Sequence, residues 1–139
     1  MDEENHIPAA DYMPHRPPMA MVDFITRTDD GDDAVLATIR PDNRFLNSDG
    51  VLDNSAVPEL VAQAAAATNS FKNGGKCRPG MLTLARDIRF FEPIHVNDEL
   101  LISAKDENPL PDWFVLYFKI ECRNTGRIFA SGEVSVCLF

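Results

Sequence analysis

One segment constrains the fold of this chain more than any other. The stretch SAVPELVAQAAAA, from Ser55 to Ala67, is small and apolar almost throughout, and five of its last six residues are alanine. Alanine favours helix, and a helix that is apolar on nearly all sides has to be buried on most of them. Because alanine side chains keep the helix thin, a curved sheet can wrap closely around it. The segment therefore predicts a buried central helix.

Local signals place the two ends of this helix. Ser55 is suited to cap its start, since a serine hydroxyl can accept one of the first unpaired N–H groups. Pro58 falls in the first turn, where the missing N–H of proline costs nothing. The sequence Asn73-Gly74-Gly75 is expected to end the helix at Phe71 or Lys72.

The other apolar segments have the alternation of strands. In one of them Phe114, Leu116, Phe118 and Ile120 fall on the same side. Six segments are expected to be strands: 20–28, 34–41, 81–91, 99–105, 113–122 and 127–139. The first two form a hairpin before the helix, and the other four follow it. This order predicts an α+β fold, with a curled antiparallel sheet wrapped around one long central helix.

Length and composition exclude several classes of protein. The chain has 139 residues, which fits one domain, here expected at 11–139 after a flexible tail at 1–10. No apolar run approaches the ~20 residues of a membrane span. The net charge of -9 argues against a nucleic-acid partner. No glycine-rich phosphate loop or metal-ligand cluster occurs, so no cofactor is expected.

The start of the chain and its cysteines indicate the compartment. The N-terminus is acidic and lacks the features of a secretion signal. The three cysteines have no CxxC spacing, which favours reduced thiols in a cytoplasmic protein.

Glu59 is the one carboxylate of the predicted helix, and its presence there has two interpretations. It can lie on a stripe of the helix that escapes the sheet and faces water. Alternatively, it can lie in a mostly apolar tunnel as a desolvated group that takes and returns a proton. Gln63, one turn further on, can hydrogen-bond Glu59 or pack against a second helix.

Three segments in order resemble motifs of a known family. PHRPPMAMVD (14–23), PELVAQAAAA (58–67) and ARDIRFFEPIHVNDEL (85–100) are similar to motifs of bacterial 3-hydroxyacyl-[acyl carrier protein] dehydratases, which have the hotdog fold. The resemblance implies a dimer, or a higher oligomer, whose interface holds an acyl-pantetheine tunnel. It also implies that a histidine from one protomer and the helix glutamate of the other act on the thioester. The glutamate corresponds to Glu59.

The family's histidine has no counterpart in the matching loop. That loop is FLNSDGVLDN, from Phe45 to Asn54, and the chain's histidines, His6, His15 and His95, all lie elsewhere. His15 belongs to the Pro-His-Arg motif and is either structural or a second catalytic group. The loss of the histidine makes the chain similar to divergent dehydratase-like hotdog proteins of aryl-polyene-type lipid clusters.

The remaining site candidates flank the helix. N–H groups at its start, at Asn54 and Ser55, would polarise the thioester carbonyl, as the resemblance implies. Gly80 either lets backbone approach the substrate or makes a bend, and Met81 beside it is a substrate-binding candidate. Asp49 either replaces the missing histidine or makes a turn. Basic residues at 72, 76, 78, 86 and 89 could form a local patch for an acidic carrier protein.

Three functions remain open at this point. The first is a dehydratase-like enzyme on 3-hydroxyacyl thioesters of acyl carrier protein or CoA, in fatty-acid or polyene-type lipid synthesis, with Glu59 as acid and base. The second is a hotdog thioesterase in which Glu59 activates water. The third is a silent subunit that binds acyl chains or carrier protein, or that lends Glu59 to a His-bearing hotdog partner in a hetero-oligomer.

Overall fold

The computed structural model describes residues 6–13, 16, 19–75, 80–106, 110 and 112–138. The strands are β1 (Ile7–Pro8), β2 (Phe24–Arg27), β3 (Asp33–Thr38), β4 (Gly80–Phe90), β5 (Glu99–Asp106), β6 (Trp113–Cys122) and β7 (Ile128–Leu138). The helix α1 spans Ala56–Lys72, and a short 3-10 helix spans Ala9–Tyr12. The predicted helix and all six predicted strands are present.

All seven strands form one antiparallel sheet in the order β1-β2-β3-β5-β6-β7-β4. The helix lies against its inner face and buries Val57, Leu60, Val61, Ala64 and Ala67 there. On β6, Leu116, Phe118 and Ile120 also face this core, as their alternation predicts. The predicted α+β arrangement, a sheet wrapped around one long helix, is therefore confirmed.

The N-terminal segment is packed on the domain from Ile7 onward. Ile7 and Pro8 pair with Ile25 and Phe24 of β2, and Ala9 is fully buried. Residues 7–9 of the expected flexible tail thus belong to the sheet and core, because Ile7 and Ala9 pack against the other core side chains. Residues 1–5 lie outside the described residues.

Strand β4 carries two irregularities that fit it to β7. Its register shifts between Leu82 and Leu84 and again between Arg86 and Arg89, and Asp87 has a φ of 54°. Aspartate tolerates this left-handed conformation better than most residues. The second shift brings Ile88 so close to Gly132 that a Cβ there would lie 2.9 Å from the Ile88 Cα. In the sequence, the alternation of the last strand shifts near Glu133, and in the structure this irregularity is a bulge of the neighbouring strand β4.

An ion pair stabilises the outer face beside this bulge. The guanidinium of Arg86 donates a hydrogen bond to the carboxylate of Glu133, whose side chain is 7% exposed. This bond and a further one from Tyr117 hold the pKa of Glu133 below its ordinary value of 4.5. The same pairing raises the pKa of Arg86.

Gly132→Ala is expected to destabilise the protein by ~1–3 kcal/mol, because the new methyl group would overlap the backbone of Ile88. Urea unfolding followed by circular dichroism measures the change. Ser131→Ala, the adjacent and half-buried position, is the control and should stay within about 0.5 kcal/mol of the parent. Equal stability of the two variants would show that β4 does not press on Gly132.

Glu133 is expected to make stability depend on pH in the acid range. Because its pKa is lower in the folded chain, its contribution is complete above the unfolded pKa and is lost as pH falls through the folded one. Urea unfolding at a series of pH values below 5 should show a shallower decline in Glu133→Gln than in the parent. Identical pH profiles would contradict a contribution from this pair.

Candidate functional site

The side-chain amide of Gln63 organises the N-terminal half of α1. Gln63 is 0% exposed, and its oxygen accepts a hydrogen bond of 2.8 Å from the backbone N–H of Met21. Its nitrogen donates to the carbonyl of Met19 at 2.8 Å and to a carboxylate oxygen of Glu59 at 3.0 Å. The bond from Met21 fixes which end of the amide is oxygen, so the donor end necessarily faces Glu59.

Glu59 is held on the border between the buried and open faces of α1. It is half-buried, whereas Leu60 and Gln63 on the buried side are fully enclosed. The hydrogen bond from Gln63 restricts its rotamers and leaves a carboxylate that can accept a proton. Gln63 therefore acts as the positioning partner that its spacing indicates.

Residues 19–23, which we call the connector, precede β2, and the segment that Gln63 binds is anchored in turn to β3. The carboxylate of Asp23 accepts the N–H of Thr38 at 2.7 Å and pairs with Arg40. Arg16 donates to the carbonyl of Met13 at 2.7 Å. The backbone of the connector therefore holds the side chain of Gln63 in place, and Gln63 in turn orients the carboxylate of Glu59.

The expectation that Ser55 caps α1 is wrong. Its side chain makes no capping bond, and its backbone is already in the right-handed helical region. Asp53 takes the role instead: its carboxylate accepts the N–H of Ser55 at 2.9 Å, and its carbonyl accepts that of Ala56 at 3.0 Å. Hydrogen bonds from the backbone and hydroxyl of Ser55 hold the pKa of Asp53 below its ordinary value.

This arrangement leaves one backbone donor open at the start of the helix. The N–H groups of Ser55, Ala56 and Val57 are all accepted by residues 53 and 54. Among the described residues, none accepts the N–H of Asn54, which is exposed. Of the two expected carbonyl-polarising positions, Asn54 retains a donor and Ser55 does not.

A cavity of about 540 Å³ lies further along the helix. Its apolar wall is formed by Ala65, Ala66, Ala104, Phe114, Leu116, Val136 and Leu138. Its rim is charged and includes Asp32, Asp33, Lys72, Lys105 and Asp106. Glu59 is not part of the lining, and Ala65 is six residues, or ~9 Å, along the helix axis from it. Sequence reasoning missed this cavity, although it placed Phe114 and Leu116 on the inward side of β6.

The other predicted site residues are spread over the molecule. Gly80 and Met81 pair with Leu138 and Cys137, so they adjoin the Leu138 wall of the cavity and not the start of α1. Asp49 lies in an exposed turn, where its N–H bonds to Asn47. His15 lies outside the described residues.

The described histidines do not share hydrogen bonds with Glu59. His6 stacks on Phe24 with ring centroids 5.9 Å apart, and His95 lies 4.0 Å from Asp98.

Two of the five residues of the expected basic patch are paired with carboxylates. Lys72 pairs with Asp33 at 3.5 Å, and Arg86 pairs with Glu133. Positions 76 and 78 lie outside the described residues.

Among the residues described, no group of His, Cys, Asp and Glu could hold a metal ion. In the same part of the chain no helix has the length and hydrophobicity to cross a membrane.

The family model described as ApeP-like, ApeP dehydratase, matches residues 7–138. The chain belongs to the ApeP-like family. This places it in the divergent dehydratase-like group that its motifs resemble. No curated protein matches the sequence significantly.

Solved structures similar to this ApeP-like chain agree on the hotdog fold. The dehydratase heterocomplex ApeI:P from Xenorhabdus doucetiae matches with a TM-score of 0.81 and 21% identity, over 96% of this chain and 91% of that one. Thioesterase superfamily member 2 from zebra fish matches with a TM-score of 0.65 and 15% identity, over 91% and 88%. A hypothetical thioesterase with coenzyme A from Streptococcus pneumoniae TIGR4 has a TM-score of 0.58 and 16% identity, over 83% and 84%.

Gln63→Leu is expected to cost ~1–3 kcal/mol of stability, because the buried N–H of Met21 and the carbonyl of Met19 would lose their partner. Urea unfolding measures this loss. Thr68→Ala is the matched control, since the Thr68 hydroxyl donates to the carbonyls of Ala64 and Ala65 in its own helix. A loss in Gln63→Leu no larger than in Thr68→Ala would contradict the role given to this amide.

Proposed function

We propose that this chain is a dehydratase subunit that acts on 3-hydroxyacyl thioesters, carried on the pantetheine of acyl carrier protein or CoA. Glu59 is its acid–base residue. The observation that carries this proposal is the orientation of Glu59 by the buried amide of Gln63, on a helix whose start leaves the Asn54 N–H open. Membership in a family described as a dehydratase supports the reaction type.

The chemistry assigns a role to each of these groups. Dehydration removes a proton from C2 of the acyl chain, and the C3 hydroxyl gains a proton and leaves as water when the C3–O bond breaks. The backbone N–H of Asn54 would stabilise the negative charge that develops on the thioester oxygen as the C2 proton leaves. Glu59 can take one proton and give one, but a carboxylate and an imidazole share these roles more efficiently.

A partner subunit is the proposed source of the imidazole. The loop from Phe45 to Asn54, which matches the histidine-bearing loop of the family that the motifs resemble, contains no histidine. His15 of this chain, which lies outside the described residues, is the other candidate for this role. The similar ApeI:P structure is a dehydratase heterocomplex, which supports a hetero-oligomer of two hotdog chains. In such a complex this chain would lend Glu59 to a site whose histidine belongs to the other chain.

Two surfaces of the chain support side-by-side pairing with a second hotdog subunit. Among the described strands, β4 is the last of the sheet and pairs with β7 alone, and its Phe90 and Met81 are 43% and 52% exposed. A long exposed apolar edge strand favours pairing with another strand. The half-buried helix stripe of Ala62, Ala65 and Ala66 is small enough for a second helix to approach closely.

Such pairing would also bring the separated candidates together. If the two β4 strands run antiparallel, the start of one meets the end of the other, so Gly80 and Met81 of one subunit approach the helix start of its partner. The cavity lined by Leu138 would then form part of an acyl tunnel shared by the two subunits. We place this activity in cytoplasmic fatty-acid or polyene-type lipid synthesis.

A thioesterase is the second candidate. It is favoured by the carboxylate of Glu59, which Gln63 positions on the helix, since a single positioned carboxylate could activate water. The similar thioesterase structures are compatible with this alternative.

Glu59→Gln is expected to lower enoyl-thioester formation from a 3-hydroxyacyl thioester by ~10²–10⁴-fold, because it removes the proton-transfer group. The assay is run with this chain alone and with a His-bearing hotdog partner, following enoyl absorbance and free thiol in parallel. Asp49→Asn, an exposed loop carboxylate, is the control and should retain full activity.

The pattern of products separates the candidates. Enoyl product only in the mixture, and lost in Glu59→Gln, supports the hetero-oligomeric dehydratase. Free thiol from the chain alone, lost in the same variant, supports the thioesterase. Full enoyl formation by Glu59→Gln in the mixture would show that the partner needs no carboxylate from this chain, and the proposal would be wrong.

A further inference from the structure

One side of α1 connects Glu59 to the cavity at the other end of the helix. Residues three and four apart share a side of a helix, and one such stripe consists of Glu59, Ala62, Ala66 and Asn69. Ala66 and Asn69 line the cavity, and Ala62 between them and Glu59 is small and half-buried. The stripe therefore leads a chain that reacts at Glu59 into the cavity without a bulky helix side chain in its path.

The rise of the helix sets how far such a chain has to reach. From Glu59, the cavity wall at Ala65 begins ~9 Å along the helix axis, and the rim at Lys72 lies ~20 Å along it. An extended chain advances about 1.2 Å per bond, as the extended protein backbone does over its three bonds per residue. Chains of about four to six carbons therefore end before the cavity, and chains of about eight to sixteen carbons end within it.

The walls of the cavity suit an alkyl chain. The volume of the cavity is about 540 Å³, and the sheet side of its wall includes Ala104, Phe114, Leu116 and Val136. These side chains offer van der Waals contact and no hydrogen bonds. Each methylene that moves from water into such surroundings strengthens binding by about fourfold. Affinity is therefore expected to rise with chain length once the chain passes Ala65.

Two ion pairs stand at the rim, where this gain ends. The ammonium of Lys72, on α1, lies 3.5 Å from Asp33, and that of Lys105, on β5, lies 3.5 Å from Asp32. The two lysine side chains are 65% and 71% exposed, so the space beyond them is open to water. Methylenes that extend past the rim would be exposed beside charged groups and would gain no affinity.

We propose that the cavity selects acyl chains of about eight to sixteen carbons, and that Lys72 and Lys105 set the upper limit. The inference rests on the proposed function, because it takes Glu59 as the reacting end of the path. It adds the length of the substrate, which the proposed reaction leaves open. Asp33 also lies 3.6 Å from Arg27, so it keeps a partner in a variant that lacks Lys72.

Saturated acyl-CoA thioesters test the selection by binding alone, because they lack the hydroxyl that dehydration removes. Thioesters of four, twelve, sixteen and eighteen carbons are titrated by calorimetry, below their micelle-forming concentrations, into the chain mixed with a His-bearing hotdog partner. The twelve-carbon thioester should bind ~10-fold or more tightly than the four-carbon one, because its chain enters the cavity. The sixteen- and eighteen-carbon thioesters should bind equally.

Ala104→Phe tests the wall of the cavity. Ala104 is half-buried on β5, which is separated from β4 by β6 and β7, so the new ring narrows the cavity without touching the β4 edge or the helix stripe. The preference for twelve over four carbons should be lost in this variant. Ser103→Phe is the matched control, because the adjacent side chain points to the other face of the sheet and should leave the preference unchanged.

The double variant Lys72→Met and Lys105→Met tests the rim. Methionine keeps a long side chain and removes both ion pairs, so the apolar wall continues past the present rim. The eighteen-carbon thioester should then bind about tenfold more tightly than the sixteen-carbon one. Lys119→Met is the control, since Lys119 pairs with Glu121 at 3.2 Å on the outer face of the sheet. Circular dichroism establishes that each variant is folded.

The outcomes distinguish this inference from the proposed function. Equal affinity for four and twelve carbons, or a preference that survives in folded Ala104→Phe, would show that the cavity does not hold the chain, even if Glu59-dependent enoyl formation is observed. Equal affinity for sixteen and eighteen carbons in the double lysine variant would overturn the role of the rim. The expected affinities without enoyl product from 3-hydroxyacyl thioesters of any length would support the cavity as an alkyl-chain site and contradict the proposed reaction.

Discussion

The hydrogen bonds of the Gln63 amide are the interaction on which the region around Glu59 depends. An alanine-rich helix can be buried at little cost except where it carries a polar group. Gln63 is fully buried, yet both ends of its amide are bonded. Those bonds join the helix to the connector before β2, and Asp23 joins the connector to β3. The orientation of the Glu59 side chain therefore depends on successive hydrogen bonds that connect it, through Gln63 and the connector, to strand β3.

The helix divides into two halves with different surroundings. Its first half meets polar groups, including the Gln63 amide and the Asp53 carboxylate at its start. Its second half borders the apolar cavity, whose rim is closed by the ion pairs of Lys72 and Lys105 with the β2–β3 hairpin. A thioester near Glu59 with its acyl chain directed along the helix would match this division, with the reacting atoms at the polar end.

The sequence predicts the elements well and the details of the site less well. The helix and the strands follow from periodicity, because burial on one side of a helix or strand leaves a regular pattern in the chain. The sequence favours Ser55 as the residue that caps α1, whereas the structure gives this role to Asp53. Both side chains can accept an N–H group, and only the geometry of the loop decides between them. The bulge at Asp87 leaves no periodic signal in β4, so the sequence pattern shows only the break near Glu133 on the neighbouring strand. The distance between Glu59 and the cavity depends on how the sheet curls, which no local pattern records.

The position of β4 has a consequence for how the chain is made. This strand follows the helix in sequence, yet among the strands that the structure describes it pairs with β7, the last one. A ribosome therefore releases β4, with its apolar side chains, well before the strand it pairs with has been synthesised. Until then the segment has no native partner within its own chain, and early capture by a chaperone or by a neighbouring nascent subunit would protect it from aggregation.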